Sequence, residues 1–394
     1  MTRSPVSSGA RTLFPALAWA RFDRHEIAGS LGDMGTFLPL LVGMASQNGL
    51  DFGAGLFFAG LFNLITGLVF PIPMAVQPMK AIAAVAITER LPVAEIVAAG
   101  AIVSAVVLLL GVTRLIDWVD RVIPTAVVRG LQLALGLSLV MKALQMVAGT
   151  HALTGADSYL TGALAAIAAV ILLRSDRIPA ALILFGAGLA LAIWKAPGSV
   201  HLTPWVPSFQ PPPWSAFSKA FLEAAVPQIP LTTLNSVVAV CALSADLFRD
   251  RPASPRRVAV SVGIMNLFGA WFGAMPMCHG AGGLAGQYRF GARSNGSILF
   301  LGAVKMAVAL LFGGSLMALC RAFPASVLGV MLAFSGVELA LVTRDQTDRS
   351  SAAVMFVTAG ACIGLGDIAL GFVIGTALAL VQSRGSKTGT TERP

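Results

Sequence analysis

One stretch of the chain occurs twice in related form. Residues 61–74 read LFNLITGLVFPIPM and residues 264–277 read IMNLFGAWFGAMPM, so Asn63 aligns with Asn266 at an offset of 203 residues. The Pro-Met step that ends each copy aligns at the same offset, which is about half of the 394-residue chain. The sequence therefore predicts two related halves, each containing a hydrophobic helix that proline interrupts at the same place.

The composition places these halves in a lipid bilayer. Hydrophobic residues make up 56% of the chain and charged residues only 11%, whereas about 25% is typical of soluble domains. The net charge of +9 could suggest a nucleic-acid partner, but the basic residues are scattered through short connections and form no basic face. We therefore expect an all-α integral membrane protein that binds no nucleic acid.

Apolar stretches bounded by charge, proline and glycine predict about 14 transmembrane segments. An odd number per half turns the second copy upside down, so seven and seven predict two inverted seven-segment repeats. A proline pair at an offset of 200, Pro124 and Pro324, supports this alignment. The predicted segments are 27–48, 54–70, 77–88, 95–113, 124–147, 160–173, 179–195, 224–243, 257–273, 279–287, 297–318, 324–343, 352–365 and 367–382.

Arginine and lysine concentrate in alternate connections, which predicts that both termini are cytoplasmic. The expected membrane is the cell (inner) membrane. Since residues 1–26 lack an apolar run followed by a cleavage site, they are predicted to be a tail and not a signal peptide. The expected organisation is a cytoplasmic tail (1–26), a first repeat (27–195), an outer Pro-rich connection (196–218), a second repeat (219–382) and a cytoplasmic tail (383–394).

Segments 3 and 10 are too short to span a bilayer. About eleven residues separate Pro78 from Glu89, which is some 16 Å of helix and half of a hydrocarbon core. Each of these half-helices would begin near the midplane, where its free N–H groups carry about half a positive charge. Two such ends that converge from opposite sides predict an anion site, and broken segments of this kind are typical of secondary transporters.

The residues around these helix ends fit an anion. Lys80 supplies a full positive charge, Gln77 is a neutral donor, and Gly280, Gly282 and Gly283 let the backbone approach a ligand closely. Tight helix packing is the other common use of such glycines in membranes. The full set of candidate substrate-binding residues is Thr36, Gln77, Lys80, Asn235, Ser236, Cys278, His279, Gly280, Ala281, Gly282 and Gly283.

Two acidic residues at membrane depth are candidates for coupling to protons. An acid inside a membrane is costly and commonly functional, and Asp33 lies beside glycines in a stretch that looks like a loosened first helix. Glu338 is the second candidate. Both have structural alternatives, because Asp33 could cap a helix or hold Lys80, and Glu338 could belong to an ion pair. His279 has one too, as a packed histidine bonded to a backbone carbonyl.

Four motifs resemble those of the molybdate transporter family, a relative of the SulP sulfate permeases. They are GDMGTF (32–37), QPMKA (77–81), PQIPLTTLNS (227–236) and MCHGAGGLAGQYRFGAR (277–293). The resemblance implies a UraA-like fold with seven plus seven segments. It also implies a core domain (segments 1–4 and 8–11) that moves against a gate domain (5–7 and 12–14), with substrate between segments 3 and 10. We expect no C-terminal STAS domain, which would fit the molybdate branch.

The expected function is therefore import of molybdate by alternating access, with no cofactor, no bound metal and no catalysis. Sulfate is the alternative substrate, because it is a tetrahedral anion of the same charge. An anion channel of the same fold, a nucleobase permease and a membrane enzyme are less favoured. No paired-carboxylate, HExxH or nucleophile-elbow pattern supports an enzyme. A homodimer and a co-transported proton are further expectations.

Overall fold

The computed structural model describes residues 14–116, 123–173, 180–198 and 201–388. The side chains of Asp33 and of residues 173 and 383–388 lie outside this description. Half of each predicted tail (1–13 and 389–394) also falls outside it, as do three basic residues of the predicted inner connections, Arg121, Arg174 and Arg177. These expectations therefore stay predictions.

Within these ranges, fourteen helical segments follow one another in the predicted order. Segments 2 to 7 are Phe52–Val69, Lys80–Glu89, Val93–Thr113, Thr125–Ala148, Tyr159–Leu173 and Ala180–Lys195. Segments 9 to 14 are Pro255–Gly269, Ala281–Arg289, Gly296–Ala322, Ala325–Leu341, Arg349–Leu365 and Ile368–Thr388. Segments 1 and 8 are composite and are described below.

Seven helices of the described chain are long and apolar enough to cross a membrane, namely segments 1, 2, 4, 5, 8, 11 and 12. Segments 6, 7, 13 and 14 are shorter apolar helices. Segments 3 and 10 have only ten and nine residues, or about 15 Å of helix, which is half of a hydrocarbon core. The described chain therefore contains two helices that are too short to span a bilayer.

Segments 1 and 8 are distorted at equivalent places. Segment 1 consists of Arg24–Ser30, a 3-10 turn at Leu31–Asp33 and Met34–Asn48. Segment 8 alternates α-helix and π-helix: Ser215–Ala220, the π-turn Phe221–Ala225, Val226–Thr233, the π-turn Leu234–Ala239 and Val240–Leu247. The offset of 203 carries Leu31 onto Leu234, so both repeats depart from α-helix at the same point. Such departures are frequent at functional sites.

The segments pack as an inverted repeat requires. Segments 2 and 9 are equivalent, and so are segments 4 and 11. Segment 2 packs against segment 11, and segment 9 packs against segment 4 in the same way. Segments 5 and 12 are equivalent and pack on each other. Gly136 and Gly336, related by the offset of 200, face each other there. A Cβ on either glycine would stand 2.5 Å from the carbonyl oxygen of the other, so the two backbones touch.

The connection between the halves packs over segments 2 and 11. Trp205 Nε1 donates to Asp51 Oδ2 at 2.9 Å, and the same carboxylate caps segment 2 by accepting from Gly53 N–H and Ala54 N–H. The backbone N–H of Trp205 donates to Leu310 O at 3.1 Å. This proline-rich stretch therefore joins the start of segment 2 to the middle of segment 11, which belong to different repeats.

The contact between Gly136 and Gly336 predicts a measurable loss of stability. We expect Gly336→Ala to lower the free energy of unfolding by about 1–3 kcal/mol, because the new methyl group forces the two helices apart. Gly186→Ala in segment 7 is the matched control, since a Cβ at Gly186 meets nothing within 4 Å. Thermal unfolding of both variants in detergent measures the difference. Equal unfolding midpoints would contradict the contact.

Candidate functional site

Two short strands cross beside each other before segments 3 and 10. Strand β1 (Gln77–Pro78) pairs antiparallel with strand β2 (Met277–Cys278). Just past the strands, the Met79 N–H donates to Pro276 O at 2.9 Å. Because the chains cross in opposite directions, the two half-helices run apart with their N-termini close together. The sequence predicted non-helical backbone here, but it did not predict the strand pairing. Because Pro78 belongs to strand β1, segment 3 begins at Lys80 instead of Pro78.

Strand β2 is held by Asn266 of segment 9. Its Nδ2 donates to Met277 O and its Oδ1 accepts from Met277 N–H, both at 2.6 Å, so one side chain satisfies both polar backbone groups of a buried residue. The equivalent Asn63 does something else. Its Oδ1 accepts from Lys305 Nζ at 3.1 Å, and that ammonium lies 3.6 Å from the centre of the Phe37 ring. The repeated asparagine therefore has two different roles.

A small cavity lies where the helix N-termini meet. Its volume is about 20 Å³, which is room for about one water molecule. Among the described residues that line it, Lys80 is the one charged side chain. The lining is Gln77, Lys80, Gln132, Gln228, Leu231, Asn235, Ser236, Cys278, Gly280 and Leu339. The structure thus brings together six of the predicted substrate-binding residues, from segments 3, 8 and 10 and the strands before them.

Three glutamines shape the polarity of this cavity. Gln228 Oε1 accepts from the N–H groups of Ala81 and Ile82 at 2.8 and 3.2 Å, which caps segment 3, and its Nε2 donates to Thr232. Gln132 Oε1 accepts from Arg129 Nη1 at 2.9 Å. Since a guanidinium only donates, this bond sets the orientation of the Gln132 amide. The NH₂ group of Gln132 is then the group available to a ligand.

Gln77 is the third glutamine. Its side chain is 2% exposed, and its Oε1 has no hydrogen-bond partner in the described structure. The two ends of an amide can be exchanged by rotation, which would present the NH₂ group to the cavity instead. A polar ligand in the cavity would supply the hydrogen-bond partner that this buried amide lacks.

The absence of a side chain at position 280 leaves room for this amide. A Cβ on Gly280 would collide with Gln77 Oε1. A Cβ on Gly282 would stand 3.8 Å from Lys80 Nζ, so the ammonium of segment 3 lies over the first turn of segment 10. Without side chains at these positions, the start of segment 10 can approach both groups closely.

Asn235 and Ser236 reach the cavity from the second π-turn of segment 8. The Ser236 hydroxyl donates to Cys278 Sγ at 3.1 Å, which connects segment 8 to strand β2. A wider helical turn spreads successive side chains and frees backbone carbonyls, so it lets both neighbours face one cavity.

His279 does not line the cavity, although the sequence suggested it as a substrate-binding residue. Its Nδ1 lies 2.9 Å from Ala75 O and its Nε2 lies 2.9 Å from Ser261 Oγ. Because the carbonyl only accepts, Nδ1 carries the hydrogen, and Nε2 of the neutral ring accepts from the serine. His279 thus fastens the two crossing backbones together. Ala281 and Gly283 also lie outside the cavity lining.

Thr36, Gly282 and Glu338 line a second, larger cavity of about 500 Å³ between segments 1, 7, 10 and 12. Arg289 and Arg344 share its lining. Thr36 and Glu338 therefore lie outside the small cavity. The sequence did not distinguish these two cavities. Asp33 ends the 3-10 turn of segment 1, but its side chain lies outside the description.

Four lining residues of the small cavity were not predicted: Gln132, Gln228, Leu231 and Leu339. Gln228 and Leu231 belong to the motif PQIPLTTLNS, which was an available signal. Gln132 and Leu339 come from segments 5 and 12, where neither repeat nor motif marks them. No group of three metal-ligating side chains occurs within the described part of the chain.

Solved structures share this fold. The murine Solute Carrier 26 family member A9 anion transporter, in its inward-facing state, matches with a TM-score of 0.71 and 15% identity over 98% of this chain and 74% of that chain. The transmembrane domain of a cyanobacterium bicarbonate transporter, BicA, matches with a TM-score of 0.64 and 16% identity over 91% of this chain and 98% of that chain. The protein is therefore a multi-pass membrane protein with the seven-plus-seven transporter fold.

The chain belongs to the molybdate transporter family. The family model described as "Molybdate transporter of MFS superfamily" matches residues 25–139 and 220–339, one range in each half. MFS transporters are built from six-segment halves, so the inverted seven-segment halves seen here differ from that architecture.

Named relatives agree with this membership. Molybdate transporter 2 of Arabidopsis thaliana is 41% identical over 90% of this chain and 86% of its own length. Molybdate transporter 1 of the same plant is 39% identical, over 90% and 87% respectively. Molybdate transporter 1 of Chlamydomonas reinhardtii is 35% identical over 91% of both chains.

The bonds of His279 predict a structural effect of its removal. His279→Ala should destabilise the fold by roughly 1–3 kcal/mol, because the buried carbonyl of Ala75 loses its donor. His201→Ala is the control, since His201 is exposed in the connection between the halves. Thermal unfolding checks the difference, and residual transport should keep the wild-type pH dependence. A His279 variant as stable as the His201 variant, or one with a changed pH profile, would contradict this role.

Proposed function

We propose that this protein imports molybdate by alternating access, and that the oxyanion binds in the small cavity between segments 3 and 10. The observation that carries the proposal is the convergence of one lysine and two helix N-termini on a buried polar cavity. The names of the three relatives support molybdate as the substrate. Both termini are proposed to face the cytoplasm, and the membrane is proposed to be that of the cell.

The charge of the cavity suits a dianion. Each helix N-terminus is equivalent to about half a positive charge, and Lys80 adds one, so the cavity offers about two positive charges. Molybdate carries two negative charges. No acidic side chain lines the cavity in the described structure, so nothing there offsets the attraction. Asn235 in the same lining is a neutral donor that does not repel the ligand.

Donors for the oxyanion come from several segments. Lys80 and the backbone of segment 10 contribute from the proposed core domain, and the NH₂ group of Gln132 contributes from segment 5 of the proposed gate domain. Gln228 occupies two N–H groups of segment 3, so those groups become available to an anion only if its amide moves. Charge-assisted hydrogen bonds of this kind are about twice as strong as neutral ones.

The size of the cavity supports a mechanism that involves motion. A volume of about 20 Å³ cannot hold a tetrahedral oxyanion, so the walls must separate during binding. Gln132 and Leu339 belong to segments 5 and 12, which form the proposed gate domain. The larger cavity, which contains Thr36 and Glu338, lies between segments 1 and 10 of the core and 7 and 12 of the gate. We assign it as an access route. Proton coupling through Asp33 or Glu338, and a homodimer, remain predictions.

Sulfate is the second candidate substrate, because the same charge argument applies to it. Uptake of labelled molybdate at nanomolar concentration into proteoliposomes, with a large excess of sulfate and an imposed pH gradient, tests the choice. We expect saturable uptake that survives the excess of sulfate. Competition at equal concentrations would indicate a general oxyanion permease. Flux that does not saturate would indicate a channel, and uptake of neither anion would refute the proposal.

Lys80 should be essential for this uptake. We expect Lys80→Ala to abolish molybdate binding without unfolding the protein, because half of the positive charge of the cavity is lost. Lys142→Ala is the control, since Lys142 is also a partly buried lysine of a membrane segment but lies outside the cavity lining. Binding measured by titration calorimetry and uptake in proteoliposomes give the two readouts. Normal uptake by Lys80→Ala would remove Lys80 from the site.

A further inference from the structure

A long groove lies between segments 2 and 9, away from the small cavity. Its volume is about 480 Å³, within the range of sites that hold small organic ligands. The equivalent helices of the two repeats meet here but pack sparsely along their length. The lining consists of Phe62, Ile65, Thr66, Val69, Arg256, Arg257, Val260, Ser261, Ile264, Met265 and Phe268.

The interior of the groove is apolar and open to the outside of the protein. Ile65, Ile264 and Phe268 are each about half exposed, at 46%, 57% and 48%. The one serine hydroxyl in the lining is already bonded to His279 Nε2. In a membrane protein, such exposed apolar side chains face the acyl chains of lipids.

One end of the groove is basic. Arg256 and Arg257 are exposed at the start of segment 9, and no acidic side chain is among the described lining residues. Arg257 Nη2 donates to Val69 O at 2.8 Å, and its guanidinium lies 5.5 Å from the centre of the Phe70 ring, so its position is fixed. A guanidinium has five N–H donors, which leaves others for a phosphate.

The basic end of the groove does not follow the inverted repeat, whereas its apolar walls do. The offset of 203 relates Phe62 to Met265 and Ile65 to Phe268, so the repeat supplies the apolar walls twice. The same offset relates Arg256 and Arg257 to Gly53 and Ala54, so the basic residues occur once. The groove is therefore amphipathic along its length, with charge at one end only.

We propose that this groove binds one anionic phospholipid, with its phosphate on Arg256 and Arg257 and an acyl chain along the groove. Phe268 follows Arg256 by twelve residues, or about 18 Å of helix, which is slightly more than one leaflet of a hydrocarbon core about 30 Å thick. Each arginine near the membrane surface strengthens attraction to an anionic lipid about fivefold. The proposal does not depend on which anion is transported.

Native mass spectrometry of the purified full chain, given equal phosphatidylglycerol and phosphatidylcholine, tests the proposal. The wild type should retain one phosphatidylglycerol in preference to phosphatidylcholine. Arg256→Gln should reduce that retention about fivefold, and it leaves the Arg257 bond to Val69 intact. Ile264→Trp should abolish retention by filling the groove. Arg321→Gln, at an exposed arginine in the last turn of segment 11, is the control and should have no effect.

Two results would overturn the proposal. The first is retention of phosphatidylglycerol by Ile264→Trp at the wild-type level, because the lipid would then lie elsewhere. The second is full displacement by inorganic phosphate, because the acyl chain would then contribute nothing. The thermal unfolding midpoint of each variant without added lipid is measured first, and Arg256→Gln should match the wild type. The two variants test separate parts of the site: Arg256→Gln tests the phosphate contact, and Ile264→Trp tests the space for the acyl chain.

Discussion

Non-helical backbone at membrane depth must satisfy its own hydrogen bonds, and the rest of this structure depends on how it does so. The chain solves the problem where strands β1 and β2 cross. The strands pair with each other, Asn266 bonds both backbone groups of Met277, and His279 bonds the carbonyl of Ala75. The strand pairing and the His279 bond join residues about 200 positions apart, so neither half-helix can be placed without the other repeat. The two helix N-termini converge because these bonds hold the crossing beneath them.

The two repeats are alike in fold and unlike at the cavity, and the difference has a steric cause. The offset of 203 relates Gln77 to Gly280 and Lys80 to Gly283. Near the axis that relates the two repeats, identical side chains at equivalent positions would occupy the same space. A Cβ at Gly280 already collides with the Gln77 amide. One copy therefore contributes side chains and the other contributes backbone. The asymmetry also means that most of the side-chain chemistry of the half-helices comes from segment 3, while segment 10 contributes close approach and its dipole.

The order of the fourteen segments follows from the sequence because apolar length, proline and glycine are local signals. Most bounds agree to within about one helical turn, but segment 8 begins at Ser215 instead of 224 and segment 14 ends at Thr388 instead of 382. The strand pairing at Gln77 was not predictable, because it depends on a partner in the other half. The orientation of the His279 ring was not predictable for the same reason. The ring could face the cavity or the backbone, and its contacts with Ala75 and Ser261 decide between the two. Gln132 was missed because segment 5 lies next to the cavity only in three dimensions. Thr36 and Glu338 are polar at the predicted depth but line the larger cavity, which sequence spacing cannot separate from the small one.

Gln132 connects the proposed substrate cavity to an ion pair just beyond the end of segment 12. Its amide is oriented by Arg129, whose Nε lies 2.9 and 3.1 Å from the two carboxylate oxygens of Asp345. The Asp345 side chain is 43% exposed, so the ion pair itself adds little stability. Its geometry matters more, because segments 5 and 12 must keep their relative position for the amide to keep its orientation. If these segments move as one body, the NH₂ group of Gln132 arrives at the oxyanion already aligned, and the gate then recognises substrate as it closes.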